Sequence, residues 1–451
     1  MKKVYHLLFL TLVFGVQCTS GQTEQTGMKM LTPEELQEDF KVFKAALWEI
    51  HPALDRYVDK KRINQLFDSC LLSLSEARSE ISFYAQIKYL LSALQDGHLG
   101  SRASEELNSY FSQQALLFPV QLRFLKDKAY AVCSPSASLK AGSEILTIKG
   151  KSVNSLRNQF FKHIMSDGAI TSFKHRDVSI KFPFYYFMLY GEPKEFKITF
   201  KDNAGDVKST VIQAEKFPAM DCKFKYERPE KLLEFSFHDD NIAILTIRSF
   251  DHYSLRNSNE NYTLFLEDTF RKLKSKGTEK LIIDLRGNGG GMDTHGSLLY
   301  AYLTNKEFSY YKSLHNADRQ LTNSDHSNLL TQQPRSNNFG GDVYILTDGF
   351  SFSTTAEFCA VARSNERAIF VGEETAGGYY GNNSGGSVST TLPNSNIAIY
   401  VPTIKYILDV KPSAFPDRGI IPDHEVLPSI TDIILNKDVQ LEYAIELAKQ
   451  N

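Results

Sequence analysis

Val343 to Gly378 reads VYILTDGFSFSTTAEFCAVARSNERAIFVGEETAGG, and its first half changes period abruptly. The apolar run Val343 to Thr347 suits a buried strand, Asp348-Gly349 suits a turn, and Ala356 to Ala362 has the spacing of a helix. A strand that turns sharply into a helix leaves one side chain perched at the helix start, and the small-residue knot Ser351 to Thr355 puts Ser353 there. The first backbone N–H groups of a helix have no partner inside it and carry the positive end of its dipole. An oxyanion formed beside Ser353 would therefore meet the amide of Thr354. A serine at a helix start is also the ordinary N-cap residue, and that structural reading stands beside the catalytic one.

A second donor is available in LIIDLRGNGGG, Leu281 to Gly291. Leu281 to Leu285 reads as a buried strand, and the glycines after it let bare backbone approach a substrate carbonyl, which makes Gly289 and Gly290 the candidate partners of Thr354. The same run is too short in glycines for a dinucleotide loop, since Met292 stands where the third glycine of that fingerprint belongs. Strands alternating with helices from about Leu232 onward, several of them uniformly apolar, indicate an α/β domain with a mainly parallel sheet covered on both faces.

Taken together, LIIDLRGNGGG, FSTTAEF and VGEETAGG resemble the S41 serine peptidases, which include C-terminal processing (tail-specific) proteases and the core of tricorn protease. The resemblance implies a ClpP/crotonase-like catalytic domain, a peptide or protein substrate and no cofactor or metal. It also implies a base. LLSALQDGHLGS, Leu90 to Ser101, matches the context in which members without a catalytic lysine place a histidine, here His98. The lysine of a Ser/Lys dyad would stand at the end of GEETAGG, and that place is Gly378. An imidazole is needed because a serine hydroxyl is a poor nucleophile at neutral pH unless a base takes its proton. Phe415 to Asp423, FPDRGIIPD, resembles the closing segment of the family, where a carboxylate orients the histidine; Asp417 fills that place, although the family more often has glutamate. Thus Ser353, His98 and Asp417 form the expected catalytic set.

The remainder of the chain divides by pattern. Residues 1–18, a short basic end followed by an apolar core too short to span a bilayer, describe an export signal. Cys18 stands where a bacterial lipoprotein is cleaved and acylated, so membrane attachment through a lipidated Cys18 is the expected alternative to free secretion, against Gln17 in front of it. Residues 28–112 have helical spacing, opening with Thr32 as N-cap, Pro33 at the first helical position and acids in the first turn. Residues 113–216 read as a small β-rich module. Within it Ala141 to Val153, AGSEILTIKGKSV, resembles a PDZ segment, and Asp167 to Phe200 reads as half-buried strands. The catalytic domain is expected over 228–430 and a C-terminal helix over 431–451.

Composition limits the partners. A net charge of −2 with acids and bases interspersed argues against nucleic acid. Cys70, Cys133, Cys222 and Cys359 include no CxxC pair, and neither HExxH nor a histidine cluster with ligand spacing occurs. The rival reading from another class is an inactive ligand- or peptide-binding protein on the same scaffold, because fold does not fix function.

Overall fold

Six strands make the sheet that carries Ser353, in the order Leu233–Phe237, Ile242–Ile247, Lys280–Asp284, Asp342–Thr347, Ile369–Gly372 and His424–Glu425. The first pair is antiparallel and the rest are parallel. In this computed structural model, which describes residues 28–223, 229–239 and 241–450, the chain is mixed α/β. The leader and Cys18 lie outside the described residues.

Strand register decides where the chemistry can be. Asp284 pairs with Leu346 and Thr347 with Gly372, so the strands end at one level and the loops after Asp284 and Thr347 emerge side by side. The two faces of the strands are both buried, with period two. Leu281, Ile283, Val343 and Ile345 pack with the helices Tyr262–Lys276 and Thr354–Ser364, while Ile282, Tyr344 and Leu346 pack with Ala444 and Ala448 of the helix Val439–Gln450. Such two-sided burial is why these strands read as continuous apolar runs in the sequence.

A second six-stranded sheet, antiparallel throughout, has the order Val207–Gln213, Glu195–Lys201, Glu144–Ile148, Lys128–Cys133, Gln121–Leu125, with Lys151–Ser152 paired on Glu144–Ile148. It is not cored separately from the helices before it. One continuous cluster joins Leu36, Phe40 and Leu47 of the first helix, Leu90 and Leu91 of the third, and Phe118, Ile145 and Phe196 of the β-rich region. That cluster also takes in Leu392, Ile397 and Ile399 from the hairpin formed by Asn383–Thr391 and Ala398–Leu408. The first helix opens as the sequence predicts, with Thr32 and Glu35 making a reciprocal capping box.

Two expectations are corrected. Ser172–Tyr190 is a helix rather than strand, broken at Lys181 (φ −106°, ψ 19°), two residues before Pro183. Its aromatic residues suggested strand by propensity, but Val178, Phe182, Tyr185 and Tyr186 recur at helical spacing and are buried against the sheet, and burial overrides propensity. The C-terminal segment forms two helices, Ile430–Ile434 and Val439–Gln450, separated where Asn436 adopts φ 52°. Cys133 and Cys222 form a disulfide across a sequence separation of 89. No helix among the described residues is long and apolar enough to cross a membrane.

Candidate active site

Ser353 is the residue just before the helix Thr354–Ser364, and it holds φ 54° and ψ −127°. A non-glycine residue is rarely found there, and the strain costs roughly 1–3 kcal/mol, sustained only where surrounding contacts overdetermine the turn. Those contacts are present. The Ser351 hydroxyl donates to the Leu285 carbonyl at 2.9 Å and accepts from the Asp348 amide at 3.0 Å. The amides of Gly287 and Phe350 both donate to Asp348 Oδ1, at 2.9 and 3.0 Å. The Ser353 side chain makes no cap hydrogen bond, so the N-cap reading of this serine does not hold and its hydroxyl is left for another use.

The glycine loop is fastened to the same turn. Phe352 donates its amide to the Asn288 carbonyl at 3.1 Å, and the Thr354 hydroxyl donates to the Gly291 carbonyl at 2.8 Å. Gly290 (φ +98°) lies so close that a Cβ there would sit 2.7 Å from Ser353 Cβ. Its amide, however, donates to Asn288 Oδ1 at 2.9 Å, so Gly290 contributes close approach rather than the oxyanion donor the sequence suggested. A Cβ on Gly289 would meet nothing within 4 Å, so that residue borders open space. Among the described residues no acceptor is found for the N–H of either Gly289 or Thr354.

His98 reaches the serine from outside the mainly parallel sheet. Its Nε2 lies 3.1 Å from Ser353 Oγ, and its ring stacks on Phe352 with centroids 4.4 Å apart. Two features hold it there. The strand Gly100–Arg102, just after it, pairs with Ala398 to Tyr400 of the hairpin, and Gly97 has no room for a Cβ, which would stand 3.0 Å from the Phe352 ring. The left-handed position at this helix end is taken by Gln95 (φ 58°), so Gly97 serves packing rather than capping. Burial lowers the imidazole pKa to about 4, with Asp96 pulling upward and Arg56 downward. The ring is therefore neutral at pH 7, the state a general base requires.

Among the described residues Asp417 makes no hydrogen bond or ion pair with this histidine. Its side chain is exposed, and it takes part through its carbonyl, which accepts from the Ala169 amide at 2.8 Å. The buried Nδ1 of His98 has no hydrogen-bond partner. Proximity to the backbone of Gly168 fixes the Asp417 loop, and there the resemblance misjudged the acid. The carboxylates that do approach His98 are Asp96 and Asp167, which with the imidazole each present an atom within 4.8 Å of one another.

Both acids are buried and meet only N–H donors. Asp96 accepts from the His98 amide at 2.8 Å, from His51 Nε2 at 3.0 Å and from Asn383 Nδ2 at 2.7 Å. Asp167 accepts from the amides of Gly97 at 2.7 Å and Gly378 at 3.2 Å, and so ties the histidine loop to the loop that follows the strand Ile369–Gly372. Burial would raise both carboxyls. For Asp96 the contacts from His51 reverse that and hold it low, whereas Asp167 stays raised by its burial and by the charge of Asp96. The segment after the first helix straps the site from above: Arg56 donates to the carbonyls of Asn382, Tyr406 and Tyr380 at 2.8, 3.1 and 3.1 Å. None of these contacts was visible in the sequence, although Asp96 and His51 lie in stretches that single out their neighbours.

Behind the serine, Glu357 is buried on the same helix and accepts from Tyr311 Oη and Asn382 Nδ2, each at 2.8 Å. Tyr311 Oη also lies 3.0 Å from Asp293 Oδ2, and one hydroxyl proton cannot serve two carboxylates. Burial and the nearby Asp293 push the Glu357 carboxyl up to about 7.

Residues 241–426 match the family model for peptidase family S41. Among solved structures, mature CPAF complexed with lactacystin is similar in fold, with a TM-score of 0.64 at 13% identity, covering 93% of this chain and 98% of that one. Mature CPAF alone gives 0.64 at 13%, covering 92% and 97%. Residues 241–426 accordingly belong to peptidase family S41, and the protein is a serine-type peptidase of peptide or protein substrates.

Proposed function

We propose that Ser353 is the nucleophile of this peptidase and His98 its general base, with the amides of Thr354 and Gly289 receiving the oxyanion. The observation that carries this is the 3.1 Å approach of His98 Nε2 to the hydroxyl of a strained serine whose side chain caps nothing. In the first step Ser353 Oγ bonds to the peptide carbonyl carbon, the carbonyl π pair moves onto oxygen, and the hydroxyl proton passes to Nε2. The imidazolium then gives that proton to the leaving amine as the C–N bond breaks, leaving an acyl-enzyme that water hydrolyses by the same route. Loss of one oxyanion donor costs roughly 10²–10³ in rate, so both amides matter.

The finer architecture belongs to the same proposal: a ClpP/crotonase-like catalytic sheet and a PDZ-like antiparallel sheet, with no cofactor taking part. Export is supported by the leader and by the Cys133–Cys222 disulfide, since such bonds persist in oxidising compartments. Turnover of an unbiased peptide library tests the roles. Wild type is expected to cleave, Ser353→Ala and His98→Ala to lose at least about 10³-fold, and retention of cleavage in Ser353→Ala refutes the assignment.

A further inference from the structure

We propose that Asp96 is the positioning residue of His98, and that His51 holds Asp96 in place as an ionised carboxylate. This rests on the reading of Ser353 and His98 above. For Nε2 to accept the serine proton, the neutral ring must carry its own hydrogen on Nδ1, and that atom is buried without a partner of its own. Asp96 and Asp167 each present a carboxylate oxygen within 4.8 Å of a ring nitrogen of His98. They are not equivalent.

Asp96 is surrounded by donors alone. The Ala53 amide donates to His51 Nδ1 at 3.2 Å, which fixes the other nitrogen, Nε2, as the protonated one and aims its N–H at Asp96 Oδ2. Asn383 adds a second N–H to the same oxygen, and the His98 amide takes Oδ1. Three N–H donors, two of them from side chains, favour Asp96 as an anion. Asp167 accepts two backbone amides and has no side-chain donor, and it lies beside an existing negative charge, so of the two it is the one that surrenders its charge. The other polar groups facing the pair are Arg56, whose guanidinium is committed to three backbone carbonyls and to Asn383 Oδ1, and Tyr57, whose hydroxyl lies over Gly378. The fixed charge next to His98 is thus Asp96, which orients the ring and stabilises the imidazolium that forms as Ser353 attacks.

The arrangement is assembled from three distant parts of the chain. His51 follows the first helix, Asp96 lies in the loop after the third, and Asn383 opens the hairpin strand of the catalytic domain. Docking of the helical region on the catalytic domain and alignment of the base are therefore one event.

The test compares Asp96→Asn, His51→Leu and Asp417→Asn in the full chain, each checked for folding by thermal melt, with kcat, KM and the pH profile of kcat/KM on a cleaved peptide. Asp96→Asn and His51→Leu are expected to lower kcat by about 10²-fold or more with little change in KM. Asp96→Asn is also expected to move the acid limb to lower pH, because removing an anion makes the imidazole harder to protonate. Asp417→Asn is expected to match wild type in both. The inference is overturned if Asp417→Asn shows the kcat loss and the shifted limb while Asp96→Asn or His51→Leu does not. Should Asp96→Asn fail to fold, wild-type kcat and pH profile in His51→Leu would overturn it alone. Activity persisting in Ser353→Ala would instead sink the underlying assignment, so the two failures are told apart.

Discussion

Replacing Gly290 by alanine tests how the nucleophile turn is held. The new Cβ would stand 2.7 Å from Ser353 Cβ, 2.8 Å from the Phe352 carbonyl oxygen and 3.0 Å from the Thr354 nitrogen. Carbon atoms settle at about 3.5–4.0 Å, so the turn must retreat by roughly 1 Å. A left-handed φ on alanine adds about 1–2 kcal/mol and the overpacking about 1–3, giving roughly 2–5 kcal/mol of destabilisation. A displacement of about 1 Å at a reacting atom costs on the order of 10²-fold in rate. Gly287→Ala is the matched control. It has a similar φ of +74° but nothing within 4 Å of the new carbon, so it carries the backbone cost alone. Thermal melts and the second-order rate of fluorophosphonate labelling measure both effects. Gly290→Ala labelling at the Gly287→Ala rate in a folded protein would refute the claim that this glycine sets the position of Ser353.

Other outcomes follow from the same geometry. Since the lowered pKa of His98 is about 4, catalysis is expected to persist through pH 6 and to fall as pH drops through about 4; a limb near 6.5 in the pH profile would contradict that burial. Glu357 is raised to about 7 from its ordinary 4.5, so its contribution to stability is full below 4.5 and lost as pH rises to 7. Glu357→Gln is therefore expected to gain on wild type by about 3 kcal/mol across that window, read by chemical denaturation at each pH. Breaking the Cys133–Cys222 bond with Cys222→Ser is expected to cost roughly 2–5 kcal/mol, seen as a lower Tm that reductant does not lower further.

The turn at Ser353, the parallel strands beside it and the histidine of the DGH triplet were legible because each is a local pattern: a change of period, an apolar run, a short motif. The acid was not. Asp96 meets His51 and Asn383 across 45 and 287 residues, and no spacing rule reports a contact of that kind. Asp417 was inferred from its place in a closing motif, but that motif supplies a backbone carbonyl for Ala169 and leaves the carboxylate in solvent. Ser172–Tyr190 was misread because phenylalanine and tyrosine favour strands on average, whereas here a sheet face and the first helices bury them on a helix. Gly290 shows a subtler limit: the sequence marked the loop, yet the Asn288 side chain decides which amide remains unpaired.

Mapping the adduct after fluorophosphonate treatment of the intact protein reports on the nucleophile itself. A single modification on the peptide containing Ser353 is expected, absent in Ser353→Ala and forming at least about 10²-fold more slowly in His98→Ala. An adduct on another residue would rule out Ser353 as the nucleophile, and undiminished labelling in folded His98→Ala would rule out His98 as its base.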